Sequence, residues 1–426
     1  MTQLINARAG RVTPEMEAVA AIEKVSVEEI MQGVAEGTIV IPKNKRRKKI
    51  RLGAIGKGLR VKVNALIGTS TDWDDPEMEF RKIRAAEAAG CDSFMDLSTG
   101  GDIDGMRKKT LAHASVPVGC VPIYQAGIEA IDRRGSVVAM TPEDIFKVLE
   151  KQAADGIDFM AVHSALNFEI LECLQRNGRV TDIVSRGGSF LTGWMLHNQK
   201  ENPLYEQFDR VLEILRKYDV VLSVGDAIRP GSIADSLDGS QMKGLIVAGE
   251  LVVRALDAGV QVMVEGPGHV PLDHVEATMK LQKSLCHNVP YYILGTLATD
   301  VAAGYDHIAS AIGGAFAGTV GANFLCYVTP AEHLGLPTED DVRTGVLTTR
   351  LAAHAADLAN GNRAAWERDL EIARARVRCD VEKQIELAID PQTARSLLDS
   401  NDGEHQCAAC GKDCSAQVAA RFFGIA

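Results

Sequence analysis

The stretch VVLSVGDAIRPGSIADSLDGSQMKGLIVAGELVVRALDAGVQVMV, residues 220–264, contains the pattern that decides the fold. An apolar run, Val220–Val224, is followed by a polar, Gly-containing turn, an amphipathic segment and a second apolar run, Gln261–Val264. Two buried strands separated by a helix are typical of a parallel β-α-β unit. The stretch therefore predicts two parallel strands joined by a crossover helix.

The same pattern recurs on both sides of this unit. Further apolar runs predict strands at Val61–Ile67, Ser93–Leu97, Val116–Pro122, Phe159–Val162, Asp182–Ser185, Tyr291–Leu294 and Phe324–Val328. Eight or nine such units predict an α/β protein with a (β/α)8 TIM-type barrel. An open doubly wound sheet is the weaker alternative, because no Gly-rich dinucleotide fingerprint follows the first strand.

Segments of different character flank the predicted barrel. We expect an N-terminal helical segment at 1–57, the barrel at 58–337, a helical pair at 338–400 and a flexible Cys-rich tail at 401–426. A basic run, Lys43–Lys49, lies in the first segment. We interpret it as a solvated face or flexible connection, with attraction of an anionic ligand as the alternative.

Composition excludes several classes of protein. The 426 residues carry a net charge of −11, so no domain-wide positive field exists to attract nucleic acid. No apolar run approaches the length of about 18 residues that a membrane helix needs. The N-terminus lacks the apolar core of a signal peptide, and a cytoplasmic location is expected.

Three of the nine cysteines, Cys407, Cys410 and Cys414, lie within eight residues. The others are scattered singly among apolar residues and are expected to be small buried hydrophobes. Three thiolates on a short loop can hold three irons of a 4Fe–4S cluster and leave one iron open. The alternative is a structural zinc site with His405 as fourth ligand.

Polar residues in or after the predicted strands are the candidates for chemistry, because active sites of such barrels lie at the C-terminal strand ends. These residues are Asn64, Asp96, Tyr124, His163, Arg186, Asp226, Arg229, Glu265 and His269. The turn Ser185-Arg186-Gly187-Gly188-Ser189 combines hydroxyls, a guanidinium and free N–H groups, as a phosphate requires. An ordinary turn before a helix is the alternative.

Two histidines in turn-rich segments form a second candidate site. His269 follows Glu265 in EGPGH, and His307 follows Asp306 in GYDH. Two imidazoles from neighbouring strand ends can ligate a divalent metal and leave positions open for substrate or water. The spacing alone is equally consistent with a metal site and with two histidines that have only a structural role.

Eight segments across the chain carry a resemblance to a known family. They are VKVNALIGTS, FMDLSTGGD, VPVGCVPIYQA, SRGGSFLTGWMLHNQKENPLYE, RPGSIAD, QVMVEGPGHVPLD, GYDHIASAIGG and LCYVTPAEHLGLP. The chain thereby resembles the phosphomethylpyrimidine synthase family of atypical radical S-adenosylmethionine enzymes. The resemblance implies a barrel that acts on 5-aminoimidazole ribotide, and a homodimer in which the cluster-bearing tail reaches the partner subunit. It also implies a flavodoxin- or ferredoxin-type reductant.

The resemblance also implies roles for individual residues. Substrate-contacting positions of the family match Asn64, Met95, Tyr124, His163, Ser185, Arg186, Gly187, Asp226, Arg229, Glu265 and Tyr292. Its zinc pair is matched to His269 and His307, and its cluster ligands to Cys407, Cys410 and Cys414. Glu265, Asp226 and His163 are the candidates for proton transfer.

Several positions depart from the family's usual sequence pattern, and these differences indicate which reaction product the chain forms. The usual GDGLRPG is GDAIRPG here, HCGV is HSAL, and the cysteines are spaced x2/x3 rather than x2/x4. Because the phosphate and metal motifs are intact, we expect the same ribotide to undergo a different rearrangement. The paralogous group that makes 5-hydroxybenzimidazole for the cobalamin lower ligand fits best. The alternative product is the hydroxymethylpyrimidine phosphate of thiamine biosynthesis.

Two hypotheses from other classes remain. One is a zinc-dependent barrel hydrolase that uses His269 and His307, with the Cys tail as a structural zinc knot. The other is a binding protein that takes up the ribotide without producing 5′-deoxyadenosine.

Overall fold

The computed structural model describes residues 1–399 and 415–423. Its N-terminal segment contains α1 (Gln3–Arg8), α2 (Pro14–Glu23) and α3 (Val27–Glu36). Strands β1 (Ile39–Val40) and β2 (Ile55–Gly56) form an antiparallel pair that the sequence did not predict. Ser26 and Glu29 form a reciprocal capping box, which fixes the start of α3.

Eight parallel strands close into a barrel, which confirms the predicted fold class. They are β3 (Lys62–Ile67), β4 (Ser93–Asp96), β5 (Val118–Cys120), β6 (Phe159–Val162), β7 (Val221–Val224), β8 (Val262–Gly266), β9 (Tyr291–Ile293) and β10 (Phe324–Cys326). Closure is made by β10, which pairs with β9 on one side and β3 on the other.

Helices between the strands surround the barrel. They are α4 (Pro76–Ala89), α5 (Ile103–His113), α6 (Pro122–Arg134), α7 (Pro142–Asp155), α8 (Phe168–Asn177), α9 (Arg186–Asn198), α10 (Pro203–Glu206), α11 (Phe208–Tyr218), α12 (Gly239–Asp257), α13 (Leu272–Leu285) and α14 (Asp306–Val320). The ninth predicted strand, Asp182–Ser185, is wrong. Asp182 has a φ of 44°, and Ser185 is the N-cap of α9, so this segment is a loop that enters a helix.

Aromatic side chains fill the barrel interior. The rings of Tyr292 and Phe324 lie 4.4 Å apart between centroids, and Phe159 meets Phe324 edge-on at 6.1 Å. Gly119 makes room for them, because a Cβ there would lie 2.2 Å from the Phe159 ring. The barrel is therefore packed like a protein core, and a ligand site must lie at its end.

The basic run of the N-terminal segment is only partly solvated. Lys45, Arg46, Lys48 and Lys49 are exposed, but Arg47 is buried and donates to the carbonyls of Leu111, Ala114 and Val116. Asn44 donates from its side chain to Ala153 and Ile157, and its N–H bonds Asp158. The reading as a solvated face or flexible connection was therefore wrong for Arg47, which fixes this segment to the barrel.

The chain divides into two compact units, 1–356 and 357–426. The division lies within α15 (Glu339–Ala359), about 20 residues beyond the boundary expected from sequence. Instead of a helical pair, four helices follow the barrel: α15, α16 (Arg363–Val377), α17 (Val381–Leu387) and α18 (Pro391–Asp399). Cys379 at a φ of 54° separates α16 from α17. A further helix, α19, spans Ser415–Phe423.

Within the described ranges, we find no helix with the length and apolar character that crossing a membrane requires.

Candidate active site

Two buried acidic residues, Asp226 and Glu265, lie at the C-terminal ends of β7 and β8. The backbone N–H of Asp226 donates to Oε2 of Glu265 at 3.2 Å. Burial raises the pKa of Glu265 to about 7 and that of Asp226 to about 6, while the Arg229 guanidinium acts against both shifts. Carboxyl groups with pKa values this close to neutral can both release and accept a proton at physiological pH.

His163 lies beside this pair as a buried, neutral imidazole. Its ring is 2% exposed, and its Nδ1 atom has no hydrogen-bond partner. Burial and then the charge of Arg229 lower the pKa of His163 to about 3. A Cβ on Gly187 would lie 2.5 Å from the ring, so only glycine lets the phosphate turn approach this closely.

The predicted phosphate turn lies at the N-terminus of α9, a helix of 13 residues. The buried Ser185 hydroxyl caps the helix by accepting from the N–H of Gly188 at 3.2 Å. The first N–H groups of a helix have no partner within the helix and attract anions. The guanidinium of Arg186 lies 5.2 Å from the centre of the Tyr124 ring. The turn therefore presents the donors that a phosphate group requires.

Three further predicted residues lie inside the barrel below the strand ends. The side-chain amide of Asn64 donates to the Tyr292 hydroxyl at 2.9 Å and accepts from Ser93 at 2.6 Å. Met95 is buried and lies two residues after Ser93, so it faces the same interior. The structure brings Asn64 and Tyr292 together, but their polar atoms are already paired with protein groups.

Asp96, by contrast, is bonded within its own loop. Its Oδ1 accepts from the N–H and the hydroxyl of Ser98, and burial raises its pKa.

His269 is oriented by a carboxylate. Its Nδ1 lies 2.8 Å from Oδ1 of Asp300, which leaves Nε2 available for another partner. A histidine that donates Nδ1–H to a carboxylate and offers Nε2 is the usual arrangement of a metal-bound imidazole. The predicted metal role of His269 therefore fits its surroundings.

The ring beside His269 is that of His333, which is not among the residues predicted from the sequence. The two ring centroids are 5.4 Å apart, and Nδ1 of His333 lies 3.6 Å from Oδ2 of Asp306. That oxygen is buried without a hydrogen bond, because 3.6 Å is too long for one. His333 therefore has a carboxylate near its Nδ1 atom but, unlike His269, no hydrogen bond to that oxygen. The signal was present in TPAEHLGLP, where His333 follows the last barrel strand.

His307 lies at the start of α14 in different surroundings. Its ring stacks with Tyr305 at 6.5 Å, and its Nδ1 is buried without a hydrogen bond. Burial lowers the pKa of His307, while Asp306 and Asp341 oppose that shift. The metal role of His307 stays a prediction.

A metal at His269 and His333 would have few protein ligands. Across residues 1–399 and 415–423, no three or more His, Cys, Asp or Glu side chains form a metal-binding group. Two imidazoles suit a divalent ion such as zinc whose other positions are taken by substrate or water. A metal on the histidine pair would therefore have positions open for substrate or water. Cys407, Cys410, Cys414 and His405 lie outside the described residues.

Comparison with known proteins gives a consistent result. Residues 2–421 match the model of the radical SAM ThiC family. A 5-hydroxybenzimidazole synthase BzaB of Moorella thermoacetica is 76% identical over 425 residues, with all of both chains covered. A protein of the same name from Eubacterium limosum is 61% identical, again over all of both chains. A phosphomethylpyrimidine synthase of Moorella thermoacetica is 55% identical over all of this chain and 99% of its own.

Proposed function

The chain belongs to the radical SAM ThiC family, and we propose that it converts 5-aminoimidazole ribotide to 5-hydroxybenzimidazole for the cobalamin lower ligand. One observation carries the proposal. Two proteins of Moorella thermoacetica bear the two candidate names, and this chain is 76% identical to the 5-hydroxybenzimidazole synthase but 55% to the phosphomethylpyrimidine synthase. The pyrimidine product is the second candidate.

The site offers a physical reason for a different product. A cavity of about 20 Å³, room for about one water molecule, is lined in part by Ala165, Ala227, Asp226 and Glu265. Both alanines stand where the family pattern has glycine. Their two methyl groups narrow the space around Asp226 and Glu265, which supports a change in how the bound ribotide rearranges.

The barrel residues bind the ribotide and control protons. Ser185, Arg186 and Gly187 hold its phosphate, Tyr124 and Arg229 flank the ring and ribose, and Asn64, Met95 and Tyr292 lie deepest. The carboxyl groups of Glu265 and Asp226 move protons, and the neutral His163 serves as a hydrogen-bonding group. When bound by Cys407, Cys410 and Cys414, a 4Fe–4S cluster supplies the electron that cleaves S-adenosylmethionine to the 5′-deoxyadenosyl radical.

The proposed zinc ion has His269 as one ligand. The second ligand is a histidine, and the two candidates are His333 and His307. The 5.4 Å separation of the His269 and His333 ring centroids supports that pair, as does the carboxylate that lies near each Nδ1 atom, at 2.8 Å and 3.6 Å. We expect His333→Ala to lose the metal after dialysis, with His307→Ala retaining it. The zinc content of both purified variants decides the matter, and metal loss only in His307→Ala would restore the original assignment.

The proposal includes partners and a compartment. Its reductant is a flavodoxin- or ferredoxin-type protein, and the enzyme acts as a homodimer in which one subunit's tail serves its partner's barrel. A thiolate-bound cluster requires a reducing environment, which supports a cytoplasmic location.

The decisive experiment is an anaerobic reaction with 5-aminoimidazole ribotide, S-adenosylmethionine and dithionite. We expect 5′-deoxyadenosine together with a product that has the mass and fluorescence of 5-hydroxybenzimidazole. Hydroxymethylpyrimidine phosphate would instead establish the second candidate. Absence of 5′-deoxyadenosine from protein with a full cluster would favour the binding-protein hypothesis.

A further inference from the structure

The carboxylate of Asp300 contacts two different parts of the site. Oδ1 lies 2.8 Å from Nδ1 of His269, and Oδ2 accepts from the backbone N–H of Ile233 at 2.9 Å. Ile233 starts the short 3-10 helix Ile233–Asp235, directly after the Arg229–Ser232 turn. One side chain thus joins the metal histidine to the loop that carries Arg229.

A second carboxylate, Asp235, continues this connection to the phosphate turn. It accepts from the N–H of Val180 at 2.8 Å and from the N–H and hydroxyl of Thr181 at 3.1 and 2.7 Å. Thr181 lies four residues before Ser185. Burial opposes ionisation of Asp235, but these bonds outweigh it and lower its pKa. Asp235 is therefore an ionised acceptor that fixes one loop to the other.

Arg179 ties the same two loops together a second time. Its buried guanidinium forms a bidentate pair with Asp238 at 2.6 and 2.7 Å, and it also donates to the carbonyl of Arg229 at 3.4 Å. Two independent links hold the segment 179–185 against the segment 229–238. A movement of one must therefore be accompanied by a movement of the other.

We propose that Asp300 is a positioning residue that couples metal binding at His269 to ribotide binding at the Ser185-Arg186-Gly187 turn. A metal held by His269 would fix the imidazole ring and would make its Nδ1–H a stronger donor to Asp300. Asp300 then holds Ile233, and Asp235 transmits the restraint to Thr181 and Ser185. Coupling of this kind is reciprocal, so each ligand must tighten the binding of the other. The inference rests on the proposed function, which supplies both ligands.

The test measures zinc affinity rather than turnover. The anaerobically reconstituted full-length protein, with its cysteines occupied by iron, is titrated with Zn²⁺ against a chelating dye, with and without 5-aminoimidazole ribotide. In wild type we expect the ribotide to tighten zinc binding at least about fivefold. In Asp300→Ala we expect the ratio of zinc affinity with the ribotide to zinc affinity without it to approach one.

Two further variants separate coupling from general damage. Thr181→Val removes a hydroxyl that bonds Asp235 but touches neither His269 nor Asp300, so zinc affinity alone should be unchanged and the ribotide effect should shrink. Asp273→Ala removes another exposed aspartate near His269 in sequence and should keep the wild-type ratio. A purely structural role of Asp300 would weaken zinc binding equally with and without ribotide.

The outcomes distinguish this inference from the proposed function. If the ribotide does not bind the wild-type protein at all, the proposed function fails and the coupling with it. If the ribotide binds but leaves zinc affinity unchanged in wild type, only the coupling is refuted. The same conclusion follows if Asp300→Ala keeps the full wild-type ratio.

Discussion

The carboxyl group of Glu265 makes stability depend on pH in a predictable direction. Its pKa is about 7 in the folded protein, against 4.5 for an unburied glutamate. The folded state therefore binds the proton of Glu265 more tightly than the unfolded state does. The resulting contribution to the free energy of unfolding is fully present below pH 4.5 and is lost as the pH rises through 7. Between pH 5 and 8, wild type should lose roughly 2 to 3 kcal/mol of unfolding free energy that Glu265→Gln does not lose.

Urea unfolding of both proteins without ligands, at several pH values, checks this prediction. Asp226→Asn is the matched comparison, because burial raises the pKa of Asp226 only to about 6. The difference in unfolding free energy between wild type and Asp226→Asn should stop changing with pH at a lower pH than the difference between wild type and Glu265→Gln. Parallel curves for wild type and Glu265→Gln would show that Glu265 titrates normally.

Sequence reasoning located the residues whose position follows from the barrel rule alone. Glu265, Asp226 and His163 lie at or just beyond strand ends, and the structure gathers them around Arg229. The position of His333 follows instead from the path of the loop after β10, which carries it to within 5.4 Å of His269 between ring centroids. The segment TPAEHLGLP shows that His333 follows the last barrel strand, but it does not show that the loop turns back to His269. His333 and the two contacts of Asp300 were missed for this reason.

At the scale of elements, a buried ion pair joins the N-terminal segment to the barrel. Nζ of Lys62 on β3 lies 3.1 Å from Oε1 of Glu23 at the end of α2, and the two side chains are 1% and 3% exposed. Removing one partner of such a pair leaves a buried charge without compensation and costs about 3 kcal/mol or more. We therefore expect Glu23→Gln to lower the free energy of unfolding by about that amount.

The double variant Glu23→Leu/Lys62→Met provides the control, since replacing both charges with apolar groups is often neutral or stabilising. Denaturant unfolding of the single and double variants measures the difference. If Glu23→Gln changes stability by less than about 0.5 kcal/mol, the range of ordinary surface substitutions, Lys62 is compensated by other groups. Arg60, whose N–H also bonds Glu23, is retained in every variant.

The elements themselves were predictable to different degrees. Eight apolar runs became barrel strands because their side chains are buried on both faces, a pattern that sequence shows directly. The run Asp182–Ser185 contains only two apolar residues, and its backbone is set by the N-cap of α9 and the bonds of Thr181 to Asp235. The two-residue strands β1 and β2 are too short to leave a periodic signal.

For the whole molecule, the fold class and the family could be predicted from the sequence, but the division of the chain into two compact units could not. The division between the two compact units falls inside α15, before the Asn360-Gly361-Asn362 turn that ends the helical pattern in the sequence. Continuous helical periodicity across a unit boundary hides it from sequence reasoning. In the proposed function, the cluster ligands belong to one unit and the ribotide-binding residues to the other, and this division leads to a functional prediction.

That prediction concerns which subunit's tail serves which barrel. A variant with a damaged barrel, Glu265→Ala, and a variant with a damaged tail, Cys407→Ala, should each be inactive alone. Unfolded and refolded together in equal amounts, they should form mixed dimers in which the intact tail and the intact barrel belong to different subunits. If tails act on the partner, half of the dimers carry one working site of two, and about a quarter of the wild-type rate of 5′-deoxyadenosine formation returns. A tail that serves its own barrel returns no activity, because each chain then contains one lesion of its own.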